Sequence, residues 1–306
     1  MSGGRTLIEY YEKWIETYKK GAVRDVTYRK YINAAKYLRN NFEDVQIHDL
    51  DRTVYQEILN KYAETHEKQT VIDFHHLLKS AILDAMDDGM INKDPTRKVI
   101  FKGKEPRKKH RKFMDKYELQ RLISDLDLTD EPNYDWLIYL IAKTGLRFSE
   151  AIAITPKDIL FREMKMRVWK TWNYKEGGGF VGTKNKSSVR IIPIDWQLAN
   201  LLRIICNGRD PEKPIFIEEG RGIYNSTVNA VLKRHCDNIG IKPITVHGLR
   251  HTHASVLLSG GVSVASVSMR LGHSNITTTQ KVYLHVIKEL EAQDTDVIIR
   301  EMSSCG

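Results

Sequence analysis

Apolar side chains recur at helical spacing through the first hundred residues. Leu7, Tyr11, Trp14 and Tyr18 form one set, Tyr28, Tyr31 and Leu38 another, and Val71, Phe74, Leu78, Ile82 and Ala85 a long stripe. A period of three to four residues puts one face of a helix against a core. The spacing predicts helices over residues 5–20, 25–41 and 51–65. A fourth, longer helix stops near Gly89, with Pro95 just beyond. Residues 5–100 therefore read as a helical bundle. The period then lapses over residues 102–112 (KGKEPRKKHRK), which include Pro106. Residues 101–113 read as an exposed linker between two folded units.

From Asp115 the helical period returns. Leu119, Leu122 and Ile123 start one helix, and residues 136–144 form another, ended by Gly145. Between residues 164 and 194 the pattern changes to strands. Met166, Val168 and Trp169 mark one, residues 180–183 a second and residues 189–194 a third, with turns at 177–179 and 185–188. Helices resume near Trp196. The expected fold is mainly α with a small antiparallel β-sheet, in two domains: residues 5–100, and residues 114–306 beyond the linker.

Composition and charge narrow the function. The chain has 306 residues, 41% hydrophobic and 28% charged, as in ordinary soluble proteins. Its apolar runs are too short to span a bilayer, and no export signal is visible, so a cytosolic location is expected. Cys206, Cys236 and Cys305 have neither metal nor disulfide spacing, and Cys206 and Cys236 read as small apolar packing groups. The net charge of +9 is unevenly placed. Residues 1–100 balance 16 basic against 16 acidic groups, and residues 101–112 hold seven basic and one acidic. Residues 113–150 are net −4, residues 151–250 net +8 and residues 251–306 net −1. A polyanion is the expected partner, because neutralising phosphates releases counterions. Lys102, Lys104, Arg107, Lys108, Lys109, Arg111 and Lys112 are candidate phosphate contacts. The bland alternative for such a run is a solvated charge cluster.

Four clusters could carry chemistry. In Thr144-Gly145-Leu146-Arg147-Phe148-Ser149-Glu150, an arginine follows a glycine turn at a helix start, where the helix end also favours an anion. Glu150 could fix its guanidinium. In His247-Gly248-Leu249-Arg250, positions i and i+3 of a helix share a face. Leu271-Gly272-His273-Ser274 places a histidine in a short turn, and Tyr283 follows ten residues later. Singly, each is ordinary: an arginine at a helix start is usually a surface ion pair, and a lone histidine or tyrosine usually packs in a core.

In this order, however, the clusters resemble the active site of the tyrosine recombinases, the phage integrase family. The resemblance covers roughly residues 115–290, and the helical first hundred residues resemble that family's core-binding domain. It implies a site-specific recombinase that cuts and rejoins DNA through a 3′-phosphotyrosine intermediate, integrating or excising a mobile element. Arg147 and Arg250 would then stabilise charge on the phosphate, and Tyr283 would be the nucleophile. His247 would assist as general base, and His273 would hydrogen-bond the phosphate. A lysine on a hairpin turn would protonate the leaving 5′-hydroxyl; Lys184 matches the family position better than Lys186, which remains a DNA-contact candidate. No cofactor or metal is implied.

The resemblance also implies double-stranded DNA at specific recombination sites as partner, held in a C-shaped clamp that the linker crosses. It implies a homotetramer on DNA working through a Holliday junction, with a host bending factor and an excisionase as further partners. The apolar residues Ile287, Leu290, Val297, Ile298 and Ile299 would dock on a neighbouring protomer. Many relatives begin with a small arm-binding domain, whereas this chain begins at the core-binding helix. Two other readings compete: a noncatalytic DNA-binding regulator and a type IB topoisomerase-like enzyme. His247 and His251 have i, i+4 spacing, but Arg250 beside them would repel a zinc ion. His251, His253 and His285 are expected to pack or cap the site.

Overall fold

The computed structural model describes residues 5–105, 113–175, 177–183, 185–218, 222–284 and 302–303. The chain divides into two compact units, residues 1–109 and 110–306.

The first unit contains helices α1 (Leu7–Tyr18), α2 (Asp25–Asn41), α3 (Arg52–Ala63) and α4 (Lys68–Asp87). The starts of α1 and α3 are fixed by side chains. Thr6 and Glu9 form a reciprocal capping box on α1, and Asp51 accepts from the backbone N–H groups of Thr53 and Val54 on α3. Each helix turns its apolar stripe inward, so that Trp14, Leu38, Tyr55, Ile58, Leu78 and Ile82 share one core. The long fourth helix ends before Gly89, which has φ +75°, as its glycine predicts. Residues 102–104, expected to belong to the linker, pack back on this unit. Lys104 N–H donates to the His66 carbonyl at 2.8 Å. A Cβ on Gly103 would lie 2.3 Å from the Lys68 nitrogen, so only glycine fits there. The side chains of Lys102 and Lys104 are exposed. Arg107, Lys108, Lys109, Arg111 and Lys112 lie outside the described residues.

The second unit begins with α5 (Lys116–Asp125) and α6 (Tyr134–Thr144), then the short α7 (Phe148–Ala151). Helix α6 is buried from Trp136 to Ala142, as its unbroken apolar run requires of a central helix. Strands β1 (Ile159–Leu160), β2 (Lys165–Val168), β3 (Lys170–Trp172), β4 (Phe180–Gly182) and β5 (Arg190–Pro193) follow. They form two antiparallel sheets, β1-β2-β5 and β3-β4, where the sequence predicted one. The strand near residue 180 pairs with residues 170–172, which the sequence pattern did not mark. The cause is Lys170, a charged residue in an inward position. It is 6% exposed and pairs with Asp158 at 2.8 Å, so hydrophobic alternation hides it. Helices α8 (Trp196–Cys206), α9 (Asn225–Asn238), α10 (Val246–Ser259), α11 (Val264–Leu271) and α12 (Ile276–Val282) complete the unit. Helix α10 packs against α6, α9 and α11. Among the described residues, no helix is long and apolar enough to cross a membrane.

Candidate active site

Two glycine turns face each other across α10. Gly145 closes α6 with φ +70°, and a Cβ there would approach His253 Cδ2 to 2.7 Å and Leu271 Cδ2 to 3.0 Å. Gly272 closes α11 with φ +68°, and its Cβ would lie 3.0 Å from Arg190 Nη1 and 3.1 Å from the Ser187 carbonyl. Both positions combine a left-handed backbone with close packing, and only glycine meets the two demands.

The arginines tie these turns together. Arg147 caps the start of α7 and donates from Nη1 to Glu150 Oε1 at 2.7 Å and from Nη2 to the Gly272 carbonyl at 3.0 Å. Arg250, on α10, donates from Nη1 to the Gly145 carbonyl and from Nη2 to the Leu271 carbonyl, both at 2.6 Å. Segments far apart in sequence thus bring two guanidiniums to one place. Arg250 is 3% exposed. Burial, then the Arg147 charge, pulls its guanidinium down to about 9. This is the signature of like charges held together in a poorly solvated site, where an added anion relieves the strain.

Glu150 is the counter-charge. It is 1% exposed and takes Arg147 on one side and Arg190 on the other, with Arg190 Nη1 at 3.2 Å from Oε1 and Nη2 at 3.0 Å from Oε2. Burial alone would raise its carboxyl. The Arg190 charge and hydrogen bond and the Arg147 charge outweigh that and hold it below the ordinary value. Arg190 also donates from Nε to the Arg270 carbonyl at 2.6 Å and from Nη1 to the Ser188 carbonyl at 2.9 Å. It therefore links the turn after β4, the α7 start and the end of α11. No motif in the sequence marks it. The signal was present in strand parity: Ile192 is buried, so Arg190 shares its inward face, while Val189 and Ile191 are 56% and 54% exposed.

The histidines and the tyrosine complete the group. His247, one turn ahead of Arg250, sits at the exposed rim of α10. Partial desolvation, then Arg250 and Arg147, lowers its imidazole. His273 follows Gly272, and its Nδ1 meets Thr279 Oγ1 at 2.7 Å. Burial, then Arg250 and Arg147, takes it down to about 4. Tyr283 lies at the end of α12, 1% exposed, against Ala254, Leu258, Val267 and Leu271. Burial pushes its phenol up to about 12 against the pull of Arg250. The Tyr283 hydroxyl meets Nδ1 of His251 at 2.8 Å. The ring of His247, the base that the resemblance implies, packs edge-on against His251, with centroids 4.7 Å apart.

Behind this layer, His253 is held between the Ala142 carbonyl, 2.9 Å from Nδ1, and Arg270 Nε, which donates to its Nε2 at 2.8 Å. Those two partners fix the tautomer with the proton on Nδ1. It packs, as expected of it. Lys184 and His285 lie outside the described residues, and so does the side chain of Lys186. The backbone of residues 186–188 forms a short 3₁₀ turn that leads into β5. Among the described residues, no group of three or more His, Cys, Asp or Glu side chains is placed to hold a metal ion.

Known proteins resemble this chain in sequence and in fold. Residues 112–289 match the model of the phage integrase family, and residues 6–63 match the phage integrase N-terminal SAM-like domain. A protein from Caldanaerobacter subterraneus named tyrosine recombinase XerC-like is 24% identical across 96% of this chain and 82% of its own length. The integrase of Staphylococcus phage L54a is 23% identical across 83% of this chain and 81% of its own. In fold, the chain is similar to the Tn1549 transposon integrase, solved with a circular intermediate DNA. There the TM-score is 0.76 at 20% identity, covering 91% of this chain and 94% of that one.

Proposed function

The chain belongs to the phage integrase family of tyrosine-type site-specific DNA recombinases, and on that footing we propose how its own residues perform strand exchange. Tyr283 attacks a phosphorus of the DNA backbone and forms a 3′-phosphotyrosine bond, releasing a 5′-hydroxyl. Arg147 and Arg250 hold the non-bridging oxygens and stabilise the charge that builds there in the transition state. His273 donates to the same phosphate, and His247 lines its rim. A lysine of the 183–187 turn, Lys184 ahead of Lys186, protonates the leaving oxygen. The reverse attack by another strand's 5′-hydroxyl rejoins DNA, so the bond energy is conserved.

The observation that carries this reading is the double tie between the glycine turns. Arg147 reaches the Gly272 carbonyl, and Arg250 reaches both the Gly145 and Leu271 carbonyls. That arrangement fixes two guanidiniums before any substrate arrives, which is what electrostatic preorganisation requires. The test is a nicked suicide substrate, which traps a covalent protein–DNA adduct. The native chain should give an adduct on Tyr283, and Tyr283→Phe should bind DNA and give none. An adduct of equal yield from the mutant would identify a different nucleophile.

Assembly is part of the same reading. A groove of about 730 Å³ runs beside β5 and α11, lined by Val189, Ile191, Pro193, Leu257, Val262 and Met269 among others. Its apolar rim matches Ile287, Leu290, Val297, Ile298 and Ile299 of the same sequence, supplied by a neighbouring copy in a DNA-bound tetramer. The reaction would serve integration or excision of a mobile element in the bacterial cytosol, with a bending factor and an excisionase as accessory partners.

A further inference from the structure

Helix α10 carries two histidines on one face, and only one of them reaches the phenol. His251 Nδ1 lies 2.8 Å from the Tyr283 hydroxyl, within the range for direct proton transfer. The positions one turn and two turns further along, Ala254 and Leu258, line the flank of the Tyr283 ring. The phenol is thus aimed along α10 at His251, not at His247. In the tautomer with the ring proton on Nε2, Nδ1 accepts and the phenol donates, which is the arrangement a proton acceptor needs. Burial raises the phenol to about 12, so the hydroxyl cannot lose its proton to water at neutral pH to any useful extent.

We infer that His251 is a catalytic residue of this recombinase, the immediate acceptor of the Tyr283 proton. The inference rests on Tyr283 being the nucleophile. As strand cleavage begins, the Oη–H bond breaks and its proton passes to Nδ1 of His251. The electron pair left on Oη forms the bond to phosphorus. The P–O5′ bond breaks, and the departing oxygen takes a proton from the lysine of the 183–187 turn. The product pair is a phosphotyrosine and a protonated His251. During rejoining the imidazolium returns its proton to Oη as the phosphotyrosine bond breaks. His247, facing Arg250 and Arg147 at the rim, then serves the phosphate and not the phenol.

Single-turnover cleavage of the suicide substrate, at DNA concentrations that saturate binding, tests this. His251→Gln keeps a hydrogen-bonding side chain but cannot take up a proton at neutral pH. It should bind DNA within threefold of the native chain yet cleave about 100-fold more slowly, the ordinary scale of general-base loss. Added imidazole should accelerate His251→Ala at least tenfold and leave His247→Ala unchanged. Cleavage by His251→Gln within threefold of native would show that the contact only positions the ring and would overturn the inference. So would failure of imidazole to rescue His251→Ala, or rescue of His247→Ala instead. Mapping the native adduct by peptide analysis keeps the two levels apart. An adduct away from Tyr283 refutes the nucleophile, whereas a normal Tyr283 adduct made rapidly by His251→Gln refutes only the role of His251.

Discussion

Arg190 shows how much a single residue can hold. Its side chain is 7% exposed, and the guanidinium joins Glu150, the Ser188 carbonyl and the Arg270 carbonyl. Removing Arg190 takes one of the two guanidiniums from buried Glu150 and leaves Arg147 alone on it, and breaking a buried ion pair costs about 3–5 kcal/mol. Arg190→Ala should therefore lower stability by about that amount in chemical denaturation, and Arg190→Lys should recover only part, because lysine lacks the planar fork. A stability within ~0.5 kcal/mol of native, the range of an ordinary surface substitution, would contradict the network. The histidines make a different prediction. His75 and His273 are each drawn down to about 4 and His253 to about 3, in every case first by burial. The unfolded chain takes up these protons near pH 6.5, while the folded chain does not until much lower pH. The unfolded state thus binds more protons across this window, and stability falls as pH falls. The melting temperature of the DNA-free protein should drop from pH 7 to pH 5, before ordinary carboxylates titrate. His253→Gln should flatten part of that slope; an unchanged slope would mean that His253 contributes nothing to it.

At the scale of elements, the glycine turns decide the geometry. Gly272 ends α11 in a left-handed conformation with Arg190 and Ser187 against it. Gly272→Ala adds both backbone strain, about 1–2 kcal/mol, and a methyl group that displaces Arg190 Nη1. Because the Gly272 carbonyl also receives Arg147, the damage should reach catalysis. Cleavage should fall by at least tenfold while DNA affinity stays within a few fold. An equal loss in both would place the effect in folding. Helix and strand patterns announced most of these elements. The helices of the first unit begin and end near their expected positions because capping residues and apolar spacing are local properties. Strand β3 escaped because Lys170 is buried through an ion pair with Asp158, and a pattern of hydrophobicity has no symbol for a paired charge.

For the molecule as a whole, charge governs DNA affinity. Each phosphate neutralised adds about −0.9 to the slope of log K against log salt concentration. Changing Arg107, Lys108, Lys109, Arg111 and Lys112 together to glutamine should reduce the magnitude of that slope by about 4.5 if all five reach phosphates. A slope unchanged from native would remove the segment from the interface. Assembly makes a separate prediction. Met269 is 69% exposed beside the apolar groove. Met269→Glu should leave binding to a single half-site unaltered and lower the yield of recombinant product, measured alongside sedimentation of the synapse. Normal recombination by this variant would mean that the groove is not used between copies.

The sequence by itself determined the helical spacing, the glycine turns and the order Arg147, His247, Arg250, His273 and Tyr283, since each is carried by neighbours a few residues apart. Tertiary structure decided the pairings. His251 and Tyr283 stand 32 residues apart, and Glu150 and Arg190 stand 40 apart. Whether His247 or His251 meets the phenol depends on how α12 settles against α10, a shift of about one helical turn. Whether Arg190 points to solvent or to Glu150 depends on which face of β5 the core covers. Hydrogen-bond partners are chosen within tenths of an ångström, and that precision arises only when separate segments pack.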